Sequence, residues 1–166
     1  DKLANLNGQH IRAATDARLV EACTERYRAR EGSAMTDVQK ADLLGAMPGL
    51  KERAKTLNEL LDTAGYIFSS RPLTMDAKAE KQLTDDACTM LGELTSHLRE
   101  ARSWDADELE AITKNYAEER AVKLGKIAQP LRAALTGRAV SPGIYDVMVT
   151  LGRDETLARI EDQQST

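Results

Sequence analysis

The sequence predicts an all-α fold on three grounds. Leucine, alanine, lysine, arginine and glutamate dominate while aromatics make up only 4%, so helix formers outnumber the β-branched and aromatic residues that strands use. Apolar residues recur three and four apart, as in Leu50, Ala54, Leu57, Leu61 and Ala64. Helix-start and helix-stop residues punctuate the chain throughout. At 166 residues, 42% hydrophobic and 30% charged, the chain has a globular balance and room for one domain or two small ones.

Taken in order, Leu3, Leu6, Asn7-Gly8 and Ile11 suggest a helical opening with a turn at Asn-Gly. Thr15 or Asp16 can cap a helix to about Arg30, with Leu19, Val20, Cys23 and Tyr27 along one side, broken by Glu31-Gly32-Ser33. Thr36 with Gln39 forms a capping box for a short helix ending near Ala46. Pro48 then opens a helix to about Phe68, in a position where its missing N–H costs nothing. Ser69-Ser70-Arg71-Pro72 is the expected boundary between two subdomains, 1–70 and 71–166.

The second half is expected to begin with a long helix from about Asp76 to Ala101, burying Leu83, Ala87, Met90, Leu91, Leu94 and Leu98. Asp105 with Glu108 forms a second capping box, starting a helix to about Arg120. A helix over roughly Val122–Thr136 contains Pro130, which kinks or restarts it, and Gly137 supplies a left-handed stop. Ser141 is expected to cap a helix from Pro142 to Leu151, ended by Gly152 and followed by a last short helix from Arg153. The architecture expected is a two-part helical bundle or cage of about eight to ten helices.

Several chemistries are absent from the pattern. Cys23 and Cys88 stand far apart outside any CxxC spacing and read as ordinary thiols of a reducing, cytoplasmic setting. His10 and His97 lie near no cysteine or carboxylate cluster, so no metal site is expected. No apolar run approaches the roughly 18 residues of a membrane span. Gly-rich phosphate loops, GxSxG elbows and HExxH pairs are missing, and Asp85-Asp86 and Glu118-Glu119 read as solvated charge. No catalytic residue is expected.

Charge is unevenly spread. The chain carries −4 overall, yet Ile112–Ala139 holds six bases (Lys114, Arg120, Lys123, Lys126, Arg132, Arg138) against Glu118 and Glu119, a local +4 that leaves −8 elsewhere. That suits one basic contact surface on an acidic body, although a solvated helix face would give the same count. The segment from Gly125 to Gly152 stands out further. It sets a cation, Arg132, beside a Ser141-Pro142-Gly143 helix start whose free N–H groups suit a phosphate. Each residue also has a plainer reading: Ser141-Pro142 as an N-cap with proline at N1, Ile144 as core, Tyr145 as half-buried packing, Arg132 as a solvated charge. Trp104 reads as a packing anchor.

Residues Gln129-Pro130-Leu131-Arg132-Ala133-Ala134-Leu135-Thr136-Gly137, followed by Ser141-Pro142-Gly143-Ile144-Tyr145-Asp146 and by Leu151-Gly152-Arg153 and Leu157, resemble the anticodon-binding region of bacterial glutamyl-tRNA synthetases. Lys2-Leu3 with Asn7-Gly8-Gln9-His10-Ile11-Arg12, and Arg53-Ala54-Lys55-Thr56-Leu57, resemble two further blocks of that family in the same order. Asn5 and His10 depart from the family, which often has tryptophan and tyrosine there.

The resemblance implies an α-helical cage that binds the anticodon loop of tRNA for glutamate. It implies that Arg132, Ser141, Pro142 and Ile144 lie against the second and third anticodon bases, with Gly143 allowing close approach, and that Arg53 contacts the first. Lys123, Lys126 and Arg138 would be phosphate contacts of low specificity. The class I catalytic signatures are absent, so the chain looks like the C-terminal portion of such an enzyme. Its partner would be the catalytic half, which would hold ATP and Mg. No cofactor and no membrane contact are expected here, and a monomer is. A helical protein–protein interaction domain that no longer serves tRNA is the alternative.

Overall fold

The computed structural model describes residues 8–164. Leu3, Leu6, Asn7, Asn5 and Lys2 therefore lie outside the described residues. Eleven α-helices and no strand occur among the described residues, against the eight to ten expected. The surplus comes from helices that the sequence pattern joined and the structure divides. The chain parts after Phe68 into two compact units.

The first unit holds α1 (Gly8–Ala13), α2 (Asp16–Glu31), α3 (Asp37–Lys51), α4 (Leu57–Thr63) and α5 (Gly65–Phe68). Thr15 caps α2 by accepting from the Arg18 N–H at 3.3 Å, and Gly32 closes it in the left-handed region at φ 74°. The Thr36–Gln39 capping box forms in both directions, at 3.1 and 2.9 Å. Two expectations fail here. Helix α3 does not end near Ala46, and Pro48 does not open a helix but lies exposed within α3. Pro48 cannot donate to the Leu44 carbonyl and its ring crowds that group, a cost offset by the buried Met47 and Leu50, which hold the turn to the core. The real break falls at 52–56, where Thr56 caps α4 by accepting from the Glu59 N–H at 3.1 Å. The stripe Leu50, Ala54, Leu57, Leu61, Ala64 is buried throughout, although a loop interrupts its helix.

Helix α2 packs on α3 and α4, and α1 packs on α3. Arg30 ties α2 to α4 through Asp62 at 2.8 Å. Lys51, ending α3, pairs with Asp16 at 2.7 Å at the start of α2. Cys23 is a free, buried thiol whose pKa burial pushes up to about 12, which keeps it protonated and unreactive.

The second unit holds α6 (Ala77–Gln82), α7 (Asp85–Arg99), α8 (Ala106–Glu119), α9 (Gly125–Thr136), α10 (Ile144–Leu151) and α11 (Arg153–Asp162). The long helix expected over Asp76–Ala101 is split at Leu83-Thr84. Asp76 caps α6 through the Ala79 N–H at 2.7 Å and Thr84 caps α7 through the Ala87 N–H at 3.1 Å, so two good caps outcompete one continuous helix. Asp105 caps α8, but the Glu108 carboxylate accepts from the Arg102 N–H at 3.4 Å, so the second capping box is half realised. The Ser103 hydroxyl and the Glu108 N–H both donate to Asp105 and hold its pKa below the ordinary carboxylate value.

Helix α9 is the centre of this unit, packed by α6, α7, α10 and α11. It runs through Pro130 without restarting, and Ile127, Pro130, Leu131 and residues 133–136 are buried. Trp104 anchors α10, donating from Nε1 to the Met148 carbonyl at 2.7 Å beneath the Arg153 guanidinium. Arg159 is 3% exposed yet satisfied: it pairs with Glu155 at 2.9 Å and donates to the carbonyls of Leu135 and Ser69 at 2.7 and 3.3 Å. A charge buried this deeply is tolerated because each of its three nitrogens finds an acceptor, one of them a carboxylate.

Candidate nucleic-acid interface

The exposed face of α9 is narrow, because most of the helix is core. Lys126, Gln129 and Arg132 occupy it at i, i+3 and i+6, a row of neighbouring polar side chains. Arg132 is half-buried, and its Nε donates to the Ser141 hydroxyl at 2.9 Å while Nη1 reaches Gln129 Oε1 at 3.4 Å. Two residues nine apart in sequence are thus joined, and the guanidinium keeps donors beyond these two bonds.

That bond overturns the expected cap. Ser141 does not start a helix from Pro142, because its hydroxyl accepts from Arg132 and donates to the Pro142 carbonyl at 2.8 Å. Helix α10 starts two residues later, at Ile144, with Gly143 as N-cap and no side-chain capping bond. The N–H groups of the first turn exist, but the Asp146 carboxylate is turned back toward the start of the helix: a Cβ on Gly143 would stand 3.1 Å from Asp146 Oδ2. An acid there complements the helix N-terminus and opposes a phosphate. Ile144 is 4% exposed, so it meets any ligand through its backbone only. Pro142 is half-buried and Gly143 exposed.

Gly137 sets the loop between α9 and α10. Its φ is 73°, its N–H donates to the Ala133 carbonyl at 2.8 Å, and its carbonyl accepts from the Asp76 N–H at 2.8 Å. A Cβ there would lie 2.5 Å from the Thr74 carbonyl oxygen. Both the left-handed backbone and the close approach require glycine. The loop so anchored carries Arg138 and the 82%-exposed Val140 toward Ser141.

The basic tract offers fewer free cations than its residue count suggests. Lys114 is paired with Glu110, Arg120 with Glu93 at 3.4 Å, and Arg132 with Ser141. Lys123, Lys126 and Arg138 remain exposed, with no side-chain partner among the described residues. Tyr145 is half-buried in α10. Burial first, and the Glu110 charge second, raise its pKa, and its enclosed hydroxyl makes no hydrogen bond of ordinary geometry. Sequence pattern does not single out Gln129 or Asp146. The i, i+3 spacing of Gln129 to Arg132 is the available signal, whereas nothing local announces the Asp146 fold-back.

In the first unit Arg53 stands exposed in the α3–α4 loop, with no partner among the described residues. No helix of the described residues is long and apolar enough to cross a membrane.

An arginine fork held by a serine, with the exposed cations Lys123, Lys126 and Arg138 nearby in the chain, is carried on a frame that is all helical among the described residues. A family model described as "Anticodon binding domain" matches residues 17–164, and the chain belongs to that family. It is 53% identical over 167 residues to a glutamate–tRNA ligase of Afipia carboxidovorans, covering 98% of this chain and 35% of that protein. It is 51% identical to glutamate–tRNA ligase 1 of Beijerinckia indica, with the same shares. The chain thus spans about a third of the length of these relatives. A solved glutamate tRNA ligase from Elizabethkingia meningosepticum, in complex with its amino acid, shares the fold at a TM-score of 0.78 and 22% identity, over 96% of this chain and 31% of that one.

Proposed function

We propose that this chain is the anticodon-reading part of a glutamate–tRNA ligase and binds the anticodon loop of tRNA for glutamate. The observation that carries the reading is the Arg132–Ser141 bond at 2.9 Å, which presents an oriented guanidinium at the surface of α9. Such proteins splay bases out of a single-stranded loop and bond their Watson–Crick edges. Cytosine, the third base, offers O2 and N3 as acceptors to the Arg132 fork. Uracil, the second, meets the Ser141-Pro142-Gly143 turn and the backbone of Ile144, and Arg53 meets the first base.

Lys123, Lys126 and Arg138 contact phosphates. ATP, Mg and the acyl-transfer chemistry belong to a catalytic part outside this chain, to which residues 8–68 would connect while 69–164 hold the main reading site. The protein is cytoplasmic and acts as a monomer.

Titration of the chain with an anticodon stem-loop tests this. Binding to the cognate loop should exceed binding to a loop altered in its second and third bases. Equal affinity for both would sink the reading and leave a protein-interaction role. Removing Lys126 should also flatten the salt dependence of binding by about 0.7 in log–log slope; an unchanged slope would remove that phosphate contact.

A further inference from the structure

An arginine projecting alone into solvent is ordinarily just a solvated charge. Arg53 differs in what lies beneath it. On its N-terminal side Lys51 Nζ is bound to the Asp16 carboxylate at 2.7 Å and to the Ala14 carbonyl at 3.4 Å. On its C-terminal side Ala54 is 5% exposed, and its carbonyl oxygen lies 3.2 Å from where a Cβ on Gly8 would stand. The same Cβ would meet Lys55 Cα at 3.4 Å, so α1 rests directly on this loop. The Lys55 N–H donates to Glu59 Oε2 at 2.9 Å, while the Glu59 N–H donates to Thr56 Oγ1 at 3.1 Å. Glu59 therefore reaches back one residue further than in an ordinary capping box, onto the loop rather than the cap. Lys51, Ala54, Lys55 and Thr56 are all fixed to α1, α2 or α4, and only the exposed pair Glu52-Arg53 is left with no such tie.

We propose that Gly8 and Glu59 are positioning residues for Arg53, holding the backbone of loop 52–56 so that a free guanidinium is delivered to one RNA base. The inference rests on the anticodon-reading role proposed above for Arg53. Its physical basis is that a fixed Cα restricts the volume a long side chain searches, which lowers the ordering cost of a contact without occupying the side chain's donors.

The test is a double-mutant cycle in the 166-residue chain, titrated with the anticodon stem-loop. Arg53→Ala should weaken binding about tenfold, within the range of one arginine–base contact. Glu59→Ala and Gly8→Ala should each weaken it about threefold. Neither should weaken it further when Arg53 is already alanine. Glu59→Gln should retain parent affinity, because its amide oxygen still accepts from Lys55. Parent-like binding by Arg53→Ala would overturn the arginine's role and the proposal with it. A tenfold loss for Arg53→Ala with undiminished losses for Glu59→Ala and Gly8→Ala on top would overturn positioning alone. If Glu59→Ala unfolds, Gly8→Ala carries the cycle.

Discussion

Arg53 and Arg132, the two arginines proposed to meet RNA bases, are held by the fold in opposite ways. In the first unit the backbone around Arg53 is pinned by Gly8 and Glu59 while the side chain is free. In the second unit the side chain itself is fixed, because Ser141 accepts the Nε–H of Arg132. An arginine loses about 2 kcal/mol of rotamer entropy when fully ordered, and part of that is met in advance only at Arg132.

The sharpest way to break the contrast is Gly137→Ala. A Cβ meeting the Thr74 carbonyl at 2.5 Å, added to the left-handed φ of 73°, should destabilise the second unit by more than about 2 kcal/mol. Thermal unfolding should show it, and an unshifted midpoint would mean the loop is not anchored there. Next, Arg132→Ala should cost about 1–3 kcal/mol of stem-loop binding, mostly as lost discrimination at the third base. Ser141→Ala should cost about 1 kcal/mol, the scale of one hydrogen bond, and nothing further once Arg132 is alanine. Additive losses would show that Ser141 contacts RNA by itself instead of orienting the arginine.

The smallest effect concerns the support under the Gly137 loop. Arg71, three residues before Thr74, is held by Asp162 through two bonds at 2.8 and 2.9 Å. Hydrogen bonding from Arg71 lowers the Asp162 pKa below its ordinary value of 3.8. A carboxylate depressed in the folded state stabilises above its unfolded pKa of about 3.9 and loses that contribution as pH falls through the folded value. Asp162→Asn should therefore lower the unfolding midpoint slightly at pH 7, and the difference should close below about pH 4. An equal difference at both pH values would assign the effect to packing.

The caps at Thr15, Thr36, Asp105 and the stop at Gly137 were legible because each depends on a few consecutive residues. Signals that compete were not. Thr84 lies inside an unbroken apolar rhythm that hides its cap, and the packing of α6 against α9 and of α7 against α8, α9 and α11 favours the two helices that the caps at Asp76 and Thr84 begin. Pro48 looks like a start and sits in a last turn. Arg132 and Ser141 were visible as residue types, but the charge count could not reveal that Lys114 and Arg120 are already neutralised.

By itself, then, the sequence determined an all-α chain, several of its caps, its buried stripe and the motif of its family, since helix periodicity and capping act over a single turn. The tertiary structure decided where helices divide, which cations stay free, and that Ser141 orients an arginine instead of capping a helix. Those outcomes turn on which of several polar partners reaches a group first, and that depends on elements brought together from distant parts of the chain.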